Sequence, residues 1–176
     1  MTNKELLEYN KNRYICQICL ATDRDLEEVL DEWVRVLKIG PWTVVEISNE
    51  TVTEPEWNGK QVTEPFMYKC ATAMCGNIQF EIVKSYYGVT MASDFVARHG
   101  TGLQHFKEYI PDEKMQETID ALLATGLERT NAGHFSTDYF CNFDSEKVLG
   151  FSLEVGNFAQ DVVLPEGKYY IYPRED

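Results

Sequence analysis

Tyr14-Ile15-Cys16-Gln17-Ile18-Cys19-Leu20-Ala21 and Leu103-Gln104-His105-Phe106-Lys107-Glu108-Tyr109-Ile110 each read as a strand that runs directly into an amphipathic helix. After the first, Thr22 or Asp23 is placed to cap a helix carrying Leu26, Val29, Leu30, Trp33, Val34 and Leu37 at helical spacing, and Gly40-Pro41 stops it. After the second, Pro111-Asp112 opens a helix with Met115, Ile119, Leu122 and Leu123 on one face, stopped at Gly126. Three strand-like runs follow each helix. They are 42–48, 66–74 and 77–84 in the first case, with Cys75-Gly76-Asn77 as a hairpin turn, and 127–134, 137–143 and 150–156 in the second. Strand, helix and three strands, repeated once, is the mark of a duplicated supersecondary unit. Outside the repeat, 1–13 reads as a short polar helix or arm and 49–65 as a long loop. A short helix at 94–99 leads to Gly100-Thr101-Gly102, and 158–176 reads as an extra strand or wrapping arm.

Side chains alternate faces along a strand, so one polar residue among apolar neighbours is informative. Cys16, Ile18 and Leu20 share a face, and Gln17 lies on the other. Ile78, Phe80 and Ile82 oppose Glu81, Phe106 opposes His105, and Phe151, Leu153 and Val155 oppose Glu154. If each apolar face packs on a helix, the four polar groups point into a common concavity. Carboxylates held there at half burial cost several kcal/mol or become protonated unless a cation compensates them. A Gln, a His and two Glu form an N/O donor set suited to Zn, Co, Ni or Mn. Gln17, Glu81, His105 and Glu154 are therefore expected to hold one divalent metal, each repeat donating a pair. Singly, a strand Gln is more often just hydrogen-bonded and a strand Glu solvated. It is the placement in equivalent strands that favours a site.

The 176 residues, 44% hydrophobic and 26% charged, suit one globular α+β domain spanning 1–176. Sixteen Lys and Arg against 29 Asp and Glu give a net charge of −13, which disfavours nucleic acid and anionic membranes as partners. An anionic small substrate would need a local cluster of Lys or Arg. No apolar run of membrane-span or signal-peptide type occurs, so a cytoplasmic location is expected. Cys16, Cys19, Cys70, Cys75 and Cys141 read as buried reduced thiols.

The segments Ile15-Cys16-Gln17-Ile18, Gly40-Pro41-Trp42, Gly76-Asn77-Ile78-Gln79-Phe80-Glu81-Ile82-Val83, Gly100-Thr101-Gly102-Leu103-Gln104-His105 and Gly150-Phe151-Ser152-Leu153-Glu154 resemble the vicinal oxygen chelate superfamily. This is the group of glyoxalase I, methylmalonyl-CoA epimerase, extradiol dioxygenases and bleomycin-resistance proteins, and the likeness is nearest the methylmalonyl-CoA epimerase branch. It covers about residues 13–157. It implies two tandem βαβββ modules, about 13–88 and 102–157, forming an open, cleft-like eight-stranded barrel around a metal held by Gln17, Glu81, His105 and Glu154. The extension 158–176 and the loop 49–65 exceed the minimal fold and could cover the cleft. Two departures stand out. Gln17 replaces the His of many epimerase-like members, a variant seen in some glyoxalases, and Gln104 replaces a His before His105.

The resemblance implies an isomerase or epimerase that uses a divalent cation to stabilise an enolate during proton transfer beside a thioester or carbonyl. Glu154 is the first candidate for the base. Glu46 and Glu50 are weak candidates for a second, more readily read as solvated. A glyoxalase I-like lyase and a non-catalytic small-molecule-binding protein of the bleomycin-resistance type are the alternatives. The expected partner is a small molecule, a CoA or glutathione thioester among the options, and a homodimer is compatible. One His in the set disfavours the two-His, one-carboxylate site of iron dioxygenases. His99 and His134 read as a helix end and a strand or turn residue. Lys69, Lys84, Lys107 and Arg98 could meet a substrate anion, but are more readily read as solvated.

Overall fold

In the computed structural model, which describes residues 1–174, the chain forms eleven strands in one mixed sheet, with helices outside it. The last two residues of the expected extension, 175 and 176, lie outside the described residues. A helix α1 (Asn3–Asn10), opened by a Thr2–Glu5 capping box, precedes β1 (Ile15–Ala21) and α2 (Leu26–Leu37). Asp25, not Thr22 or Asp23, caps α2 by accepting from the Glu28 amide at 3.1 Å. Then come β2 (Trp42–Ser48), β3 (Val52–Trp57), β4 (Lys60–Gln61), β5 (Met67–Cys75), β6 (Ile78–Tyr87) and α3 (Met91–His99). The remaining elements are β7 (Gly102–Tyr109), α4 (Asp112–Ala124), β8 (Arg129–Phe135), β9 (Asp138–Phe143), α5 (Glu146–Leu149), β10 (Ser152–Gly156) and β11 (Tyr169–Tyr172).

The sheet order is β11-β2-β5-β6-β1-β7-β10-β9-β8-β3-β4. At its centre β1 and β7 run antiparallel. Outward from them the pairing is the same on both sides: β1 lies parallel to β6, and β7 parallel to β10. Antiparallel pairs then lead through β5 to β2 and through β9 to β8. The sequence reading expects eight strands. Of the other three, β11 is the extra strand, one of the two readings of 158–176, while β3 and β4 form from the expected loop 49–65. Alternation is weak in 49–65, because its polar residues face solvent as an added edge. Pro55 fits such an edge, and the ladder is broken between Thr53 and Glu56. The additions cross over: β3 covers the edge β8, and β11 covers the edge β2. Each thereby pairs backbone groups that would otherwise be open to another chain.

Amphipathicity places the helices. Leu26, Val29 and Leu30 of α2 pack with Trp42, Val44, Ala71, Ala73 and Ile82 on the outer face of the first half. Met115 and Ile119 of α4 pack with Ala132, Cys141, Phe143 and Val155 on the outer face of the second. The alternate residues face inward, and the sheet curls into an open half-barrel whose concave wall draws on β1, β2 and β5 to β10. No helix among the described residues is long and apolar enough to cross a membrane.

Candidate metal centre

The four central strands carry the four residues singled out by alternation: Gln17 on β1, Glu81 on β6, His105 on β7 and Glu154 on β10. All are buried, and His105 is fully enclosed. Their functional atoms converge on His105 Nε2, which lies 3.2 Å from Gln17 Oε1, 3.4 Å from Glu81 Oε2 and 3.2 Å from Glu154 Oε2. Neighbouring ligand atoms around an ion with bonds of ~2.1 Å stand about 3.0–3.4 Å apart, so the spacing suits a small divalent ion.

The orientation of the ring has a sequence cause. The β1–β7 register slips between Cys19/His105 and Leu20/Leu103, so Gln104 is an extra, bulged residue. The bulge brings its side chain beside the ring that follows, where His105 Nδ1 donates to Gln104 Oε1. That bond leaves Nε2 facing three oxygen acceptors. A lone pair opposed by three oxygens requires a cation between them, either a proton or a metal. Gln17 is oriented in turn by Gln79, whose Oε1 accepts from Gln17 Nε2 at 2.6 Å and so keeps Gln17 Oε1 toward the imidazole.

Charges near the site agree. Burial works against ionisation of His105, but Glu154 and then Glu81 outweigh it and raise its pKa. Burial likewise opposes the Glu81 carboxylate, and hydrogen bonding and Coulomb attraction from His105 lower its pKa nonetheless. Glu154 accepts from Asn142 Nδ2 at 2.8 Å through Oε2, and its Oε1 lies 3.3 Å from Lys107 Nζ. Lys107 Nζ also donates to Asp138 Oδ2 at 2.9 Å. Burial would lower the lysine pKa, but Glu154 and Asp138 raise it, so the ammonium persists. Glu81, Glu154 and Asp138 against Lys107 leave two negative charges, which one divalent ion balances.

Two thiols adjoin Glu81. Cys70 Sγ donates to Glu81 Oε1 at 2.7 Å, and Cys19, Glu81 and His105 place ligand atoms within 4.8 Å of one another. Burial pushes both thiols well above their ordinary pKa, keeping them protonated as donors. The expectation of five buried thiols holds for Cys16, Cys19 and Cys141. Cys70 is only half-buried and Cys75 is exposed, the latter because it sits at the hairpin turn.

The sequence reading missed Lys107, reading it as solvated, although period two from His105 places it on the same face. It is buried, and its stem lies where a Cβ on Gly156 would sit, 2.4 Å from Lys107 Cε and 2.3 Å from Tyr139 O. A Gly156→Ala change is therefore expected to cost about 1–3 kcal/mol by overpacking. Urea denaturation would measure it, and an unchanged midpoint would show that both the lysine stem and the β9 backbone at Tyr139 give way. Asn142, Asp138, Gln79 and Gln104 were also missed. Glu46 and Glu50 are not in the site: both pair with Lys168 of the tail. Arg98 and His99 bind Glu146, while Lys84 Nζ donates to the Asp23 and Arg24 carbonyls. His134 packs at a tilt against Tyr139, with ring centroids 4.8 Å apart.

Above the polar floor lies a cavity of about 310 Å³. Val45, Ile47, Tyr68, Phe135 and Phe140 form its walls, and Phe158, Ala159, Val162 and Leu164 of the tail line it as well. An apolar body with a polar, chelating head fits this division.

No protein-family model matches the chain, and no curated protein matches it. Solved structures share its fold. A hypothetical protein from Bacillus halodurans C-125 matches with a TM-score of 0.61 at 14% identity, over 83% of this chain and 94% of that one. Methylmalonyl-CoA epimerase from Mycobacterium tuberculosis matches with a TM-score of 0.57 at 13% identity, over 81% and 85%. A variant of the Streptomyces coelicolor methylmalonyl-CoA epimerase, in complex with 2-nitronate-propionyl-CoA, matches with 0.56 at 13%, over 86% and 97%. At these identities the likeness establishes the fold.

Proposed function

We propose that the chain is a vicinal oxygen chelate enzyme of the epimerase or isomerase type, in which Gln17, Glu81, His105 and Glu154 hold one divalent cation. The observation that carries this reading is the convergence of three oxygens from three strands on His105 Nε2. The mirrored pairing about β1 and β7 supports a reading of the halves as tandem βαβββ modules, β1-α2-β2-β5-β6 and β7-α4-β8-β9-β10. A bound dication would supply Lewis-acid stabilisation of the negative charge that develops on a carbonyl oxygen when a neighbouring carbon is deprotonated.

The protein groups supply the rest. Glu154 is the base: its carboxylate accepts the proton from the carbon, the step that exchange in heavy water reads. Lys107 remains paired with Asp138 when Glu154 is neutralised, so no bare ammonium is left behind. The apolar walls exclude water from the carbanionic carbon. A CoA-thioester substrate is supported by the epimerase neighbours, one of which was solved in complex with 2-nitronate-propionyl-CoA.

The test has two parts. Protein purified without added metal is expected to carry a stoichiometric divalent ion by elemental analysis, and no binding at any concentration would favour a metal-free binding protein. Incubation with methylmalonyl-CoA in heavy water is expected to exchange the α-proton, seen by mass spectrometry. Conversion of a methylglyoxal–glutathione adduct without that exchange would select a glyoxalase-type lyase instead.

A further inference from the structure

Lys107 does more than balance charge. Its side chain is 3% exposed, yet the residue lines the cavity. An ammonium has three N–H donors. Nζ donates to Asp138 Oδ2 at 2.9 Å and lies 3.3 Å from Glu154 Oε1 in an ion pair, and it makes no other side-chain contact to an acceptor among the described residues. Lys107 is also the only Lys or Arg among the cavity-lining residues, in a chain whose net charge is −13. Any anionic group that enters this cavity must therefore meet Lys107 or the metal. Its position is set on both sides, by Asp138 at the head and by the bare backbone of Gly156 along the stem.

We propose that Lys107 binds a substrate oxygen beyond the pair that chelates the metal. This rests on the metal reading above and narrows the substrate class. The substrate is a small carbonyl compound with a third acceptor oxygen near the chelating pair, a single carboxylate above all, on an apolar body. Lys107 has one N–H beyond its contacts with Asp138 and Glu154, so it accommodates one further acceptor oxygen. Polyphosphate inside the cavity would have no counter-charge, so a nucleotide handle, where the substrate has one, lies outside it.

Two probes separate the contacts. Acetohydroxamate chelates through two oxygens and has no third, whereas oxalate carries further oxygens. With zinc-loaded protein, calorimetry is expected to show oxalate binding at least tenfold weaker in Lys107→Met, with acetohydroxamate binding within twofold and zinc content unchanged. The double variant Lys107→Met/Asp138→Asn, which removes both charges together, is expected to behave alike and guards against an unfolded single variant. In wild-type protein labelled with 15N-lysine, oxalate is expected to shift the Lys107 ammonium signal and acetohydroxamate to leave it in place. Equal oxalate affinity with and without Lys107, or no ammonium shift, overturns the proposal while the metal reading stands. Loss of zinc from both variants also overturns it, since Lys107 would then serve only to hold Glu154. A wild-type protein that takes up no zinc fails the metal reading itself, and this proposal with it.

Discussion

A His105→Ala variant is expected to lose its metal, with affinity falling by well over 100-fold while the fold is retained. Residues that merely orient a ligand contribute about 10–100-fold to metal affinity, and His105 is itself the atom on which the others converge. It is also the only imidazole in the set, and its neighbours cannot replace it. Gln17 Oε1 is a neutral donor fixed by Gln79, and the two carboxylates would face each other without the nitrogen between them. Like charges so placed raise the pKa of one another, so the emptied site would take up a proton instead of an ion. Gln104→Leu is the graded control. It removes the acceptor of His105 Nδ1 and should cost about 10–100-fold, because the ring remains but its tautomer and direction are no longer set. Competition with a chromophoric chelator gives both affinities, and far-UV circular dichroism checks the fold. Full metal content in His105→Ala would move the site elsewhere, with Cys19 and Glu81 as the remaining donors to examine.

Gln17 was legible as the one polar residue of an apolar strand, and Glu81, His105 and Glu154 because each opposes an apolar face; the two-residue period survives any uncertainty about which strand pairs with which. The positions of eight strands and of the helices α2 and α4 along the chain were legible from their periodicity, whereas the order of the strands within the sheet was not. Nor were the partners of those four residues. Gln104 acts through a bulge, and a bulge is a property of the register between β1 and β7, which no local pattern in either strand reveals. Asp138 and Asn142 lie on β9, where the run Asp138-Tyr139-Phe140-Cys141-Asn142-Phe143 alternates imperfectly and gives no sign of facing a charged neighbour. Lys107 is the instructive case. Its alternation with His105 was visible, but a lysine is so seldom buried that composition argued for solvent, and only the carboxylates across the sheet explain its burial. Segment 49–65 shows the converse limit, since a polar edge strand and a polar loop read alike.

Metal loading is expected to stabilise the folded chain strongly, and less so in acid. A ligand that binds only the folded state at 1,000 times its Kd adds about 4.1 kcal/mol. At roughly 2–4 °C per kcal/mol for a chain of this size, that raises Tm by about 8–16 °C at pH 8. The direction with pH follows from His105. Burial lowers its pKa, but Glu154 and Glu81 more than offset burial and leave it raised above the ordinary imidazole value of about 6.5. In the metal-free protein the imidazolium therefore contributes stability that is fully present below about pH 6.5 and is lost as pH rises through the higher folded value. That proton occupies the nitrogen a metal needs, so the two compete. Below the folded pKa each pH unit is expected to weaken metal binding about tenfold, which removes about 1.4 kcal/mol of the metal's stabilisation. Thermal scans with zinc and with a chelator, at pH 8 and at pH 5.5, would measure both increments. An increment that is equal at the two values, or larger in acid, would show that the ion is bound by oxygens without His105. The same scans on His105→Ala should show an increment at pH 8 smaller by at least about 2.7 kcal/mol, the equivalent of a 100-fold loss of affinity, and no His105-linked change of that increment with pH, because the group for which ion and proton compete is gone.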